Sequence, residues 1–274
     1  MPLFFASLNS GSNGNCYYIG NKQEAVLIDA GISCRETEIR MSRLGLSLKN
    51  VKGIFVTHEH FDHVKGIAVL SKKYQLPVYI THPTLQQARL RIKPHLILSL
   101  KSYVPISIGG LTISAFPKLH DAVDPLSIIV DDGINKVGVF TDIGFSCEHV
   151  IKHFAQCHAA FLESNYDEHM LEVGPYPVPL KNRIRGGKGH ISNRQAANLF
   201  KLHRPEFMSH LILAHLSEHN NSQALVQNLF NSIAGQTQMI VATRYRETEL
   251  FCVDGSMKSS KNKKYHKQEQ LSLF

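Results

Sequence analysis

Residues 53–63 read Gly-Ile-Phe-Val-Thr-His-Glu-His-Phe-Asp-His, an apolar run leading straight into an HxHxDH pattern. The run 53–57 predicts a buried strand and residues 64–74 predict a helix, so the pattern stands at a strand's carboxyl end. His58 and His60, two apart in an extended segment, project to one side. Asp62 and His63 stand where the helix begins and turn towards the same cleft. Three imidazoles and a carboxylate suit a borderline divalent metal such as zinc, manganese or iron. The chain holds 16 histidines in 274 residues, the one outlier in its composition, and this is where they cluster.

Outward from that stretch, strands and helices alternate. Residues 4–8, 16–19 and 25–29 predict strands, with a polar turn over 10–15, and 35–44 an amphipathic helix. A strand at 78–80 and a short helix at 84–90 follow. Strands are predicted again at 111–117, 126–130 and 137–141, then a helix at 148–154 and a strand at 159–162. Residues 173–189, rich in glycine, proline and basic side chains, read as a long loop, and loops of that length are usually functional. A helix opens at Asn193, with Ser192 and Gln195 in capping-box spacing. A strand at 211–215, a helix at 223–232 and strands at 239–242 and 249–253 close the pattern. The expectation is one α/β domain over residues 1–254 and a flexible basic tail over 255–274.

Composition excludes several classes. With 43% hydrophobic and 19% charged residues the chain is not a disordered one. No apolar run approaches the roughly 18 residues of a membrane span, and the first residues lack a secretory leader's basic and small-residue signals. The five cysteines (Cys16, Cys34, Cys147, Cys157, Cys252) form no CxxC pair, which predicts neither a disulfide framework nor a thiolate zinc site. A reducing, cytoplasmic location is expected. The net charge is +8, of which five lysines against Glu269 place +4 in residues 255–274. The rest is a mild bias towards anionic partners.

The HxHxDH motif in this setting resembles the metallo-β-lactamase superfamily, which implies an α/β fold, the four-layer αββα sandwich, with a dinuclear site at one sheet edge. The resemblance implies three further ligands, each after an apolar strand: His120, Asp142 and His215. His219 competes with His215, but His215 ends the strand. One divalent ion (zinc or manganese, iron possible) would lie with His58, His60 and His120. A second would lie with Asp62, His63 and His215, and Asp142 would span both. Two ions about 3.5–4 Å apart acidify a shared water and stabilise charge on a scissile phosphate. Asp29, closing its strand, fits an orienting role behind the ligands.

Within the superfamily, Glu163 and His190 resemble the pair of the RNase Z-like branch, in which a histidine held by a glutamate protonates the leaving oxygen. An alkoxide needs that proton. His190 also precedes a capped helix start, which favours phosphate. Lys181, Arg183, Arg185 and Lys188 suit backbone phosphates. The opening loop, with Asn13 and Asn15, offers backbone N–H groups to an anion. The motifs SLNSGSNGNCYYIG, LIDAG, VTHEHFDHVKG, HDAVDP, TDIG, LESNYD, GHISN and AHLSEHNN resemble the YycJ/WalJ-type bacterial metallohydrolases over about residues 3–225. That resemblance implies a 5′→3′ exonuclease on double-stranded DNA with a link to repair. The alternatives are hydrolysis of another ester (RNA, a small phosphodiester or a thioester) and a non-enzymatic clamp-binding adaptor.

The chain ends Gln270-Leu271-Ser272-Leu273-Phe274. This resembles the pentapeptide by which bacterial repair proteins dock on the sliding clamp, with Leu271, Leu273 and Phe274 as anchors and Gln270 setting register. The alternative is that these side chains dock on their own domain. DNA and the clamp are thus the expected partners, with no membrane; oligomeric state has no signal.

Overall fold

Strands whose two faces are both apolar must be covered on both sides, and that requirement builds the layers. In β1 (Leu3–Asn9), Leu3 and Phe5 join one buried cluster while Phe4 and Leu8 join another. In β2 (Cys16–Gly20), Tyr17 and Ile19 face the first cluster, Cys16 and Tyr18 the second. This period-2 division runs through the computed structural model, which describes residues 2–255. Residues 256–274, with the predicted clamp peptide Gln270–Phe274, lie outside the described residues.

Two seven-stranded sheets face each other. The first continues through β3 (Ala25–Ile28), β4 (Val51–Phe55), β5 (Val78–Ile80) and β6 (Ile97–Ser99). The second holds β7 (Ile106–Ile108), β8 (Leu111–Pro117), β9 (Leu126–Asp131), β10 (Lys136–Phe140), β11 (Ala159–Glu163), β12 (His210–Ala214) and β13 (Gln238–Val241) in that order. A last strand, β14 (Phe251–Val253), returns to pair antiparallel with β1, Leu3 opposite Val253. Each sheet is antiparallel in its first strands and parallel in its last: β3 to β6 in one, β10 to β13 in the other.

Parallel neighbours need crossovers, and helices supply them. On the first sheet lie α1 (Cys34–Arg43), α2 (Phe61–Val64), α3 (Ile67–Tyr74) and α4 (His82–Ala88). The second carries α5 (Glu148–Phe154), α6 (Glu168–Val173), α7 (Val178–Arg185), α8 (Asn193–His203) and α9 (Gln223–Asn231). Met41, Ile67 and Leu70 cover the first sheet's outer face; Val150, Phe154, Phe200 and Phe230 cover the second's. Between the sheets Phe161 packs on Phe5 (ring centroids 6.1 Å) and Tyr17 (4.8 Å). The architecture is the αββα sandwich. Among the described residues no helix is long and apolar enough to cross a membrane, and the five cysteines are free.

Some predicted elements differ. The helix expected over 64–74 breaks at Lys65–Gly66, where a Cβ on Gly66 would lie 1.9 Å from the Ile32 carbonyl. The long loop expected over 173–189 contains α7. Two of its three prolines, Pro177 and Pro179, read as breakers, sit at the cap and first turn, where no N–H is needed. The short helix starts earlier, at His82, capped by the Thr81 hydroxyl. The edge strands β6 and β7, three residues each, left no readable alternation.

Candidate metal centre

The carboxyl ends of the parallel strands meet at one edge of the sandwich, where open α/β sheets gather ligands. From the first sheet, β3 delivers Asp29, and β4 delivers Thr57, His58, His60 and, through α2, Asp62 and His63. From the second, β8 leads to His120, β10 to Asp142, β12 to His215, and β11 ends on Glu163. Three of these side chains are aimed by left-handed backbone immediately beyond a strand: Asp29 (φ 59°), Asp142 (φ 54°) and His215 (φ 57°). Left-handed conformations at non-glycine residues cost roughly 1–2 kcal/mol each, so tertiary contacts must hold them.

Potential ligand atoms of His58, His60 and His120 lie within 4.8 Å of one another, and so do those of Asp62, His63 and His215. Asp142 stands between the two groups. Its carboxylate is 3.2 Å from His63 Nε2, 3.5 Å from His215 Nε2 and 3.9 Å from His120 Nε2.

Hydrogen bonds behind the rings fix which nitrogens face the cleft. Asp29 Oδ1 accepts from the Thr57 backbone N–H (2.8 Å), and Oδ2 accepts from the Thr57 hydroxyl (2.7 Å) and His63 Nδ1 (2.7 Å). Having given its proton to Asp29, the Thr57 hydroxyl can only accept from His58 Nδ1 (2.9 Å). His120 Nδ1 donates to the Gly189 carbonyl (3.0 Å). In His58 and His120 Nε2 therefore carries the lone pair, and in His63 the bond to Asp29 leaves Nε2 as the nitrogen that faces the cleft. His58 Nε2 and Asp142 Oδ2 are buried and have no hydrogen-bond partner. Unpartnered buried acceptors are costly in an apo protein, and cations bridging them fit this donor set.

The electrostatics follow. Burial pushes His58 well down, and His120 to about 4. Burial opposes charge on His63 too, but Asp142, Asp29 and Asp62 hold it up at about 10. Burial likewise works against the Asp142 carboxylate, which His215 and His63 nevertheless keep well below the usual range.

Beside the ligands, His190 Nδ1 donates to Glu163 Oε1 (2.7 Å). The same oxygen is 3.2 Å from His215 Nδ1, while Glu163 Oε2 accepts from the Ile143 (2.8 Å) and Ile191 (3.3 Å) N–H groups. Burial opposes the Glu163 charge, yet His190 holds it down at about 2. Glu163 is fully buried; the His190 ring remains 21% exposed.

The other predicted contacts are rearranged. Asn15 is buried: its Oδ1 accepts from Gly11 N–H and the Tyr17 hydroxyl, which turns Nδ2 to Asp62 Oδ2 (3.0 Å) and His63 Nε2 (3.0 Å). Its side chain thus contacts two of the candidate ligands. Exposed Asn13 donates to the Arg244 carbonyl (3.2 Å). On α7, Lys181 Nζ binds the Glu172 carbonyl, Arg185 pairs with the Glu172 carboxylate (2.8 Å), and Arg183 with Asp121 (2.5 Å). Lys188, exposed on the Gly186–Gly189 turn, makes no ion pair among the described residues.

Four participants escaped sequence reasoning. Thr57 relays Asp29 to His58, as described. Asp121 holds Oδ1 3.4 Å from His120 Nε2. The buried Lys118 ammonium donates to the Thr141 carbonyl (2.6 Å), just ahead of left-handed Asp142. Ser10 accepts from the His215 N–H (2.7 Å). Thr57 and Asp121 each adjoin a candidate ligand in sequence; Lys118 and Ser10 are ordinary residue types whose partners lie 23 and 205 positions away.

A model of the metallo-beta-lactamase superfamily matches residues 10–180. The exodeoxyribonuclease YycJ of Bacillus anthracis is 34% identical over 235 residues, 83% of this chain and 87% of the relative. The exodeoxyribonuclease WalJ of Streptococcus pneumoniae (strain D39) is 27% identical over 238 residues, 84% and 88% of the two chains. Among solved structures, the metallo-beta-lactamase fold protein YhfI of Bacillus subtilis aligns with a TM-score of 0.70 at 15% identity, covering 91% of this chain and all (100%) of that one. That last likeness bears on fold alone.

Proposed function

The chain belongs to the metallo-β-lactamase superfamily and to its YycJ/WalJ type, and from that premise we propose that it is a 5′→3′ exonuclease on double-stranded DNA. It is a dinuclear-metal hydrolase. The observation that carries the DNA phosphodiesterase reading is the Glu163–His190 pair, joined at 2.7 Å beside both ligand groups. Duplex preference and polarity rest on the resemblance to the relatives.

Two divalent ions, one with His58, His60 and His120 and one with Asp62, His63 and His215, with Asp142 between, would supply Lewis acidity and an acidified water. The protein's own groups do the rest. With Nδ1 bonded to Glu163, His190 turns Nε2 towards the cleft, where it holds the proton that the departing sugar oxygen takes up. Two backbone N–H groups pin Glu163, so its orientation does not depend on substrate. Exposed apolar side chains interleave with the ligands: Phe61 (71% exposed) between His60 and Asp62, Leu119 before His120, and Phe145 beyond Asp142. Such a rim suits the flat faces of nucleobases.

Zinc or manganese fits the donor set. The C-terminal peptide Gln270–Phe274 would tether the enzyme to the sliding clamp and raise its local concentration on newly replicated DNA.

The test is cleavage of linear duplex DNA, labelled separately at each 5′ and 3′ end, by manganese-loaded protein, with Asp142→Ala and His190→Ala as controls. Shortening from the 5′ end, abolished by the first variant and slowed about 10²–10⁴-fold by the second, is the expected result. Protein that holds two metals and leaves every DNA end intact would refute the proposal.

A further inference from the structure

Charge is unevenly distributed along this chain. Residues 64–120 contain eight Lys or Arg and no Asp or Glu. The whole chain has 30 basic and 22 acidic residues, so outside this segment the two balance at 22 each. The segment runs from the end of α2, through α3, β5, α4 and β6, to the ligand His120.

Within it, a cavity of about 370 Å³ opens between α3 and the stretch that follows α4. Its lining is Ala68, Ser71, Lys72, Arg91, Ile92 and Lys93: three cations and no carboxylate. All three cations are exposed, and Lys72 and Arg91 make no ion pair among the described residues. Lys93 reaches only the Gln75 side-chain oxygen, at 3.5 Å. Their neighbour Lys73 differs, because Glu38 on α1 neutralises it at 2.7 Å. Like charges gathered around one cavity repel one another, and an anion there turns that repulsion into attraction. The Arg91 guanidinium offers a planar fork that matches phosphate oxygens, and two ammonium groups add point charge.

Chain continuity links the cavity to the metal centre. Lys65, three residues after Asp62, lies over the exposed Phe61 ring with Nζ 5.6 Å from its centroid, and α3, which carries Lys72, begins two residues later at Ile67.

We infer that this cavity is a binding site for a backbone phosphate of duplex DNA, seated while the end of the same duplex lies at the metal centre. The inference rests on the nuclease reading above and adds to it the surface that holds the uncut part of the substrate. The site reads phosphate and no base, so it contributes affinity that is independent of sequence and sensitive to salt.

The experiment measures binding of the metal-loaded protein to a nuclease-resistant phosphorothioate duplex by fluorescence anisotropy, from 50 to 200 mM KCl. Bis(p-nitrophenyl) phosphate hydrolysis is followed in parallel. In Lys72→Ala/Arg91→Ala/Lys93→Ala the slope of log K against log salt should become shallower by about 0.9, the share of one phosphate contact, and binding at 100 mM should weaken at least tenfold. Hydrolysis of the small ester should stay at the wild-type rate, which also reports that the variant folds. Lys22→Ala/Lys152→Ala/Lys201→Ala removes as much charge from elsewhere on the surface and should leave the slope within about 0.3 of wild type. A wild-type slope in the first variant, or an equal shift in the second, overturns the site. Failure of the nuclease reading looks different, because the wild-type protein would then leave an unmodified duplex uncut whatever the two variants do to binding.

Discussion

The substitution Asp29→Asn replaces one oxygen by an NH₂ group, yet the hydrogen-bond chain predicts an effect on both metals. Oδ1 must remain the oxygen, because the Thr57 N–H donates to it at 2.8 Å. The new NH₂ then occupies the position of Oδ2, 2.7 Å from both the Thr57 hydroxyl and His63 Nδ1. Facing a donor, His63 Nδ1 must accept, so its proton moves to Nε2, the atom needed for a metal. The Thr57 hydroxyl, now accepting from the new amide, turns its own proton to His58 Nδ1, 2.9 Å away, and that ring changes tautomer too. One ligand in each group is thus held in the wrong tautomer. Loss of such a supporting bond costs about 10–100-fold in metal affinity. Two of them together give about 10²–10⁴-fold, or 2.7–5.5 kcal/mol. Asn tolerates left-handed backbone, so the variant tests the proton and not the φ of 59°. The assay is calorimetric metal titration, with nitrogen NMR of the zinc-loaded protein to identify the protonated ring atom. Metal affinity within threefold of wild type, or retention of both Nδ1 protons, would refute the reasoning.

Phe161→Ala should destabilise the fold by about 3–5 kcal/mol in urea unfolding, because the ring joins Phe5 and Tyr17 across the two sheets; a loss under about 1.5 kcal/mol would contradict that packing. Lys188→Ala should raise KM for duplex DNA and make the salt slope shallower by about 0.9, while Arg185→Ala, whose charge already meets Glu172 at 2.8 Å, should change neither; the reverse order would show that the pairing yields to substrate. Metal loading at pH 7 should expel protons from His63, held up at about 10, and from His215, raised well above its ordinary value, and calorimetry in buffers of different ionisation enthalpy counts them, zero being the refuting result. The sign for the metal-free fold follows: a raised histidine pKa stabilises fully below about 6.5, and that contribution fades as pH rises through about 10.

The fold was legible where strands were long and apolar on both faces. β1 and β12 needed no tertiary information, because burial on two sides leaves continuous apolar runs, and β8 showed itself by alternation, with Leu111, Ile113 and Ala115 on its buried face. α7 was hidden by chemistry that reads two ways, since Pro177 and Pro179 mark a loop in sequence but cap and open a helix in space. Lys181, Arg183 and Arg185 were visible as basic residues, whereas their partners Glu172 and Asp121 were visible only once the chain had folded. A sequence shows charge but not whether it is already neutralised.

The ligands themselves carry a spacing signal and their holders do not, for a physical reason. His58, His60, Asp62 and His63 must lie close in sequence because one strand end and one helix turn present them all. Their supports are free to come from anywhere: Asn15 reaches Asp62 from 47 positions away, and Ser10 reaches the His215 backbone from 205. Each ligand group also draws on both sheets, His58 and His60 with His120, Asp62 and His63 with His215. Before the sheets pack, neither group exists, and Asp29, Asp142 and His215 have nothing to hold them in left-handed backbone. An ion with affinity for the assembled groups and little for the open chain stabilises the packed state in proportion to its occupancy. By this argument metals held there would close the sandwich at the edge where the apolar core ends, and would balance the strain at the three strand ends through the same contacts that position the chemistry.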